Sequence, residues 1–330
     1  MIIFHKCGGQ GHVYDHGEPV PPPADYCWID LVQPDAIDIA FIKEKTGFSI
    51  PSYDKLVEIE SSSRIYEENG ALYLSAPLVF RTASGTPRPT PLGFILTKDL
   101  LITIRFEELR AFDGLIEKVQ ASACQPLRGP GIFVWLLEGM ADRMADTLER
   151  VASDLDDVSQ QIFGDETSAL TKKPQPRAEN ERLRAILRRV GRAGDVASLM
   201  RDSLLGQMRI VPFVMASGAD WLTPDHKKRL KIVRQDLVSL NDYESHLTTK
   251  VQFLLDATLG LTNIDQNNIF RILTVVSVVG VPPTLVASMY GMNFKHMPEL
   301  DWAWGYPWGL ALIALTAIVP LVWFKVKGWL

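Results

Sequence analysis

Two uncharged runs stand together at the C-terminal end of this chain, Ile272 to Phe294 and Trp302 to Phe324. Each holds ~23 residues, more than the ~20 that a helix needs to cross the hydrocarbon core of a bilayer. Buried helices of a soluble core would satisfy the same count, but the flanks argue for membrane. Trp302, Trp304, Tyr306 and Trp308 cluster where the second run begins, and Trp323 and Trp329 lie near its end, as an interfacial belt requires. Only Lys295 to Asp301 separates the runs, so they form a hairpin with both open ends on one side. Arg271, Lys325 and Lys327 flank those ends, which places them, the long N-terminal region and the C-terminus in the cytoplasm by the positive-inside tendency.

No proline occurs between Pro224 and Pro282, and Thr223-Pro224-Asp225 reads as N-cap, first-turn proline and first-turn acid. The pattern predicts one helix from about Pro224 through Tyr290, with Gly260 its weak point. Leu230, Leu237, Leu240, Leu247, Val251, Leu254 and Leu261 recur along it at spacings suited to packing against other helices. Within the first apolar run and just before it, Asn263, Asn267, Phe270, Thr274, Ser277, Val281, Thr284 and Ser288 fall on one stripe by alternating steps of three and four. Small hydroxyl residues on such a stripe let helices pack closely and bond across an interface. The same groups can also wall a pore, touching a hydrated ion without holding it fast. One stripe per chain cannot enclose a channel, so the pore reading entails a symmetric homo-oligomer. Pro282-Pro283 should kink this helix or free its carbonyls.

The N-terminal part reads as an α/β domain. Tyr26 to Leu31, Ala71 to Phe80, Gly93 to Leu96 and Leu100 to Arg105 have the composition of strands, and Asp35 to Thr46 that of a helix. From Gly131 to Phe163 and from Pro176 to about Met215 the periodicity is helical, giving an acidic arm (Asp154, Asp156, Asp157, Asp165, Glu166) and a basic one. Arg182, Arg184, Arg188, Arg189 and Arg192 read as a solvated face of the second arm.

A net charge of -5 argues against a nucleic-acid binder. The cysteines Cys7, Cys27 and Cys124 are odd in number and widely spaced, which indicates no disulfide framework and fits a reducing compartment. The start of the chain carries no secretory-signal pattern. Gly8-Gly-Gln-Gly11 reads as a hairpin turn or, less specifically, a phosphate loop. His5, Cys7, His12 and His16 read as incidental residues of that hairpin or as a zinc site of no standard spacing. No nucleophile-base pairing or evident carboxylate pair suggests an enzyme.

Tyr290-Gly-Met-Asn-Phe294 followed by Met297-Pro-Glu-Leu300, set between two terminal spans, resembles the signature of the CorA magnesium channels. Pro282-Pro-Thr-Leu-Val-Ala-Ser288, Gly328-Trp-Leu330, Trp28-Ile-Asp-Leu31 and the segment Glu58 to Arg64 extend the resemblance over the whole chain. It implies an α+β chain: a cytoplasmic α/β domain (1–125), helical arms (126–222), a stalk helix (223–271), a pore-lining span (272–294), an extracytoplasmic loop (295–301), a second span (302–324) and a cytoplasmic tail (325–330). Five copies would form a funnel-shaped homopentamer in the plasma membrane, the inner membrane of a bacterium, surrounded by lipid.

What the family does is conduct Mg2+, often Co2+ and Ni2+, inward. The resemblance implies a selectivity filter at Gly291, Met292 and Asn293, and a pore wall of Asn267, Phe270, Thr274, Ser277, Val281, Thr284 and Ser288. Mg2+ gives up its waters reluctantly, so the amides of an Asn293 ring can select it through its hydration shell. Glu299 and Asp301 of the loop would attract cations, while Lys295, where the family often has an acid, would oppose them. Mg2+ is then both cargo and regulator, with Glu58 and Asp236 nominated as its cytoplasmic ligands, Glu60 and Asp242 nearby, and no organic cofactor. The alternatives are a Zn2+ transporter of the same superfamily and, in another class, a membrane-anchored ligand sensor.

Overall fold

The computed structural model describes residues 1–6, 11–14, 26–58, 60–81, 86–121, 128–164, 176–292, 297–298 and 302–329. They form two compact units, Met1–Leu255 and Asp256–Leu330.

The first unit is built on one seven-stranded sheet. Its strands are β1 (Ile2–His5), β2 (His12–Tyr14), β3 (Trp28–Val32), β4 (Ile65–Glu68), β5 (Ala71–Arg81), β6 (Pro87–Leu96) and β7 (Leu101–Arg105), in the order β2-β1-β3-β7-β6-β5-β4. Strands β3 and β7 run parallel; the other neighbours pair antiparallel. Both faces are buried, and the two-residue period of a strand sorts the side chains between two cores. On one face Leu72, Leu74, Phe94 and Leu101 join the core formed with α4 (Arg110–Ala121), α5 (Gly129–Phe163) and α6 (Pro176–Ser217). On the other, Tyr73, Ile95, Ile102 and Ile104 meet Ile42 of α1 (Ala36–Thr46) and Leu56 of α2 (Tyr53–Val57). Helix α3 (Ser61–Arg64) leads into β4.

Local chemistry fixes the element ends. Asp35 caps α1, its Oδ1 accepting from the N–H groups of Ile37 and Asp38 at 2.9 and 2.7 Å, and Gly47 ends the helix in the left-handed region at φ 77°. Gly129 lets α5 start against β7, since a Cβ there would stand 2.4 Å from the Leu100 carbonyl carbon. A buried polar chain crosses the central strands. Trp28 Nε1 donates to Thr103 Oγ1 at 2.9 Å, Thr103 donates to Asp30 Oδ1 at 2.6 Å, and Arg105 donates from Nε to Asp30 Oδ2 at 2.9 Å. Burial raises the Asp30 pKa, while Arg105 and Thr103 oppose that shift by stabilising the carboxylate.

Helix α7 (Pro224–Tyr290) runs unbroken for 67 residues, ~100 Å at 1.5 Å per residue. Thr223 caps it, accepting from His226 N–H at 3.2 Å. Within the first unit its buried seam comprises Leu230, Val233, Leu237, Glu244, Leu247, Val251 and Leu254. Leu261, expected on that stripe, is exposed. The charged arms meet each other and the stalk: Arg189 lies 3.8 Å from Asp154 and 3.7 Å from Asp157, Arg182 donates to the Gln161 carbonyl, and Lys250 pairs with Asp156. Arg182 and Arg189 therefore tie the arms together, and Arg184, Arg188 and Arg192 are exposed.

Cys27 corrects the cysteine reading, because it is disulfide-bonded. Cys7 and Cys124 lie outside the described residues. An odd count over wide spacings does not report which two residues the fold brings together.

The second unit contains the remainder of α7 and α8 (Gly305–Val326), two helices long and apolar enough to cross a membrane.

Candidate ion pathway

All seven nominated pore residues, Asn267, Phe270, Thr274, Ser277, Val281, Thr284 and Ser288, lie on α7 and are exposed in the single chain. Continuity of the helix is what aligns them, since steps of three and four stay on one face only while the 3.6-residue turn persists. A shallow groove of about 590 Å³ runs along this face, lined by Ser277, Gly280, Val281, Thr284 and Ser288 between the flanking Val276 and Leu285.

Three of the four stripe hydroxyls, all but that of Ser277, are not free to point their protons outward. Thr274 Oγ1 donates to the Phe270 carbonyl at 2.8 Å, Thr284 to Gly280 at 2.9 Å and Ser288 to Thr284 at 2.8 Å. Each proton is spent on the preceding turn, so what faces outward is an oxygen lone pair. Such a surface accepts hydrogen bonds. Water bound to a cation turns its hydrogens outward, so the stripe matches the outside of a hydrated cation. Pro282 and Pro283 add to this polarity, since neither has an N–H to give to the carbonyls of Val278 and Val279. Phe270 interrupts the stripe with an exposed apolar ring.

Beyond Tyr290 the helical bonding continues briefly, Gly291 N–H donating to the Ala287 carbonyl at 3.0 Å and Met292 N–H to Met289 at 3.3 Å. Gly291 does not adopt the left-handed conformation expected of a glycine that turns the chain out of a helix. Its demand is space: a Cβ would lie 3.3 Å from the Ala287 carbonyl oxygen. Asn293, Lys295, Glu299 and Asp301 lie outside the described residues.

The nominated regulatory acids are Glu58, at the C-cap of α2, and Asp236 on α7, both exposed. The carbonyl of Glu58 accepts from Arg64 Nε, which fixes the backbone and leaves the carboxylate outward. Glu60 and Asp242 are exposed as well. Among the described residues no group of three His, Cys, Asp or Glu side chains is arranged to hold a metal within one chain.

Register separates two of the four candidate zinc ligands near the N-terminus. Phe4 pairs with His12 across β1 and β2, so His12 projects with Phe4, on the face opposite to His5. The two imidazoles cannot converge. His5 stacks on Trp28 with ring centroids 4.0 Å apart, and neither ring nitrogen has a hydrogen-bond partner. Cys7 and His16 are outside the described residues.

Sequence reasoning missed Glu244, the one charged residue of the buried α7 seam. Thr248 Oγ1 donates to its Oε1 at 2.6 Å, while Oε2 is buried without a partner. The steps from Leu240 to Glu244 to Leu247 were the available signal.

Comparison with known proteins gives a consistent result. Residues 23–326 match a family model described as "CorA-like Mg2+ transporter protein". The chain is 31% identical over 314 residues to the magnesium transport protein CorA of Escherichia coli K12, covering 95% of each chain. It is also 31% identical over 307 residues to the protein of the same name from Wolinella succinogenes, covering 92% of this chain and 91% of the other. In fold it is similar to the CorA magnesium transporter from Methanocaldococcus jannaschii, with a TM-score of 0.75 at 17% identity over 100% of this chain and 99% of that one.

Proposed function

The chain belongs to the family of CorA-like Mg2+ transporters, and from that premise we propose that it carries Mg2+ across a membrane through a pore walled by the hydroxyl stripe of α7. The observation that carries this reading is the back-bonding of Thr274, Thr284 and Ser288. It turns the stripe into a row of acceptors suited to the water shell of Mg2+, which that ion sheds reluctantly.

In this proposal five copies surround one axis and the family's other cargo, Co2+ and Ni2+, can follow the same path. Gly291, Met292 and Asn293 form the outer filter, with the Asn293 amides bonding first-shell waters. Glu299 and Asp301 gather cations at the entrance against the opposing charge of Lys295. The chain lies in the plasma membrane with both termini cytoplasmic, Arg271, Lys325 and Lys327 marking the inner side. Cytoplasmic Mg2+ regulates the pore through Glu58 and Asp236 of neighbouring protomers.

Purified protein reconstituted alone into liposomes should take up Mg2+. Asn293→Ala should lose most of that flux while light scattering still reports an oligomer of five chain masses. Normal uptake and normal selectivity over Na+ in a correctly assembled Asn293→Ala oligomer would falsify the filter assignment. Liposomes of the unaltered protein that pass no Mg2+ would overturn the transport reading itself, and parallel arms with Co2+, Ni2+ and Zn2+ rank the cargo.

A further inference from the structure

The first unit holds a cavity of about 660 Å³ that the ion pathway does not use. It opens between α5, α6, the start of α4 and the ends of β5 and β6. Its volume falls within the ~300–1,000 Å³ usual for small-molecule sites. The floor is apolar and adaptable: Met140, Met144 and Met200 are buried there, with Phe80 and Val196 half-buried beside them.

The wall above the floor carries six charges, three of each sign. Arg143 and Arg150 come from α5 and Arg192 from α6, while Glu108, Asp146 and Asp195 alternate with them. None of these six side chains forms an ion pair among the described residues. Arg150 is nevertheless held in place, donating from Nε to the Asp146 carbonyl at 3.1 Å and from Nη2 to Thr147 Oγ1 at 3.0 Å.

We propose that this cavity binds the magnesium complex of an organic phosphate with a flat apolar body, the chemistry of a nucleoside di- or triphosphate. Guanidinium groups take phosphate oxygens through paired N–H donors. A free polyanion would also meet Glu108, Asp146 and Asp195, and those carboxylates oppose it. A bound Mg2+ reverses their effect, because its coordinated waters donate to carboxylates. Phe80 and the three thioethers supply a surface for a heteroaromatic ring. A simple fatty acid fits poorly, since it needs one cation at the mouth and gains nothing from three acids.

Equilibrium dialysis of the full-length protein in detergent micelles tests this with Mg·ATP as the probe at a fixed excess of free Mg2+. Binding is expected, and Arg143→Ala with Arg192→Ala should weaken it at least about tenfold, the loss typical of removing charge-assisted hydrogen bonds. Both arginines are exposed, so their removal leaves the fold intact, which a thermal melt checks. Excess EDTA should weaken ATP binding comparably. Magnesium pyrophosphate, which lacks the apolar body, and adenosine, which lacks the phosphates, should each bind less tightly than Mg·ATP. No retention of Mg·ATP overturns the proposal. So does retention that is indifferent to the double substitution or to EDTA, or pyrophosphate binding as tight as that of the nucleotide. Retention is read without ion flux, so failure here leaves the transport reading untouched.

Discussion

His5 illustrates what a single buried group does to the whole domain. It is 2% exposed, lies flat on Trp28, and has both ring nitrogens unpartnered. Burial first and the positive charge of Arg105 second lower its pKa from 6.5 to about 4. The imidazole is therefore neutral in the folded chain at neutral pH. Because the folded pKa lies below the unfolded one, the stability tied to this group is fully present above pH 6.5. It is lost as the pH falls toward 4. A shift of that size corresponds to ~3 kcal/mol. His5→Phe keeps a ring against Trp28 and removes the titration. Its melting temperature should fall less between pH 6.5 and 4 than that of the unaltered protein; parallel acid profiles would show that His5 carries no such linkage.

Among the elements, α7 has a seam that departs from its own apolar pattern at a charged residue. Leu237, Leu247, Val251 and Leu254 are buried as their spacing requires, yet Glu244 occupies a position of the same register. An unpartnered buried polar atom costs ~1–3 kcal/mol. Glu244→Leu completes the apolar seam and should raise the melting temperature of the full-length protein by several degrees; an unchanged or lowered melt would mean that Oε2 meets a partner in the assembled protein. The arms show the opposite economy. Arg189 with Asp154 and Asp157 is a half-exposed contact on the surface of α5 and α6. Such pairs contribute ~0–1 kcal/mol.

For the whole molecule, the governing fact is uncovered apolar surface. Ile269, Val276 and Leu285 on α7 and Leu315, Ile318 and Val322 on α8 are each more than half exposed in the single chain. That is far more than a soluble monomer leaves bare. In the proposed assembly, lipid and further copies of the chain cover this surface. Assembly would also complete the proposed regulatory sites, since Glu58 and Asp236 are separately exposed and belong to no metal cluster among the described residues of one chain. Glu58→Ala together with Asp236→Ala should shift the Mg2+ dependence of closure to higher concentration in a liposome flux assay. An unchanged dependence would remove both residues from that role.

The sequence by itself determined the elements whose signal is one-dimensional. The unbroken α7 follows from the absence of breakers between Pro224 and Pro282, and its cap at Thr223 from the adjoining Pro224 and Asp225. Strands β5 and β7 follow from apolar composition, and the polar stripe from steps of three and four. Short or polar elements were not legible. Strands β1, β2 and β4 and helices α2 and α3 carry too few residues to be separated from loop, whereas α4 went unread although Phe112, Leu115 and Val119 recur at helical spacing. Tertiary structure alone decided the strand order, the parallel pairing of β3 with β7, and the opposite faces of His5 and His12. It also decided the disulfide at Cys27, the burial of Glu244, and the closing of the cavity between α5, α6 and the sheet. The physical reason is range. A helix or a stripe is set by neighbours within about one turn, whereas register, burial and enclosure depend on residues brought together from far along the chain.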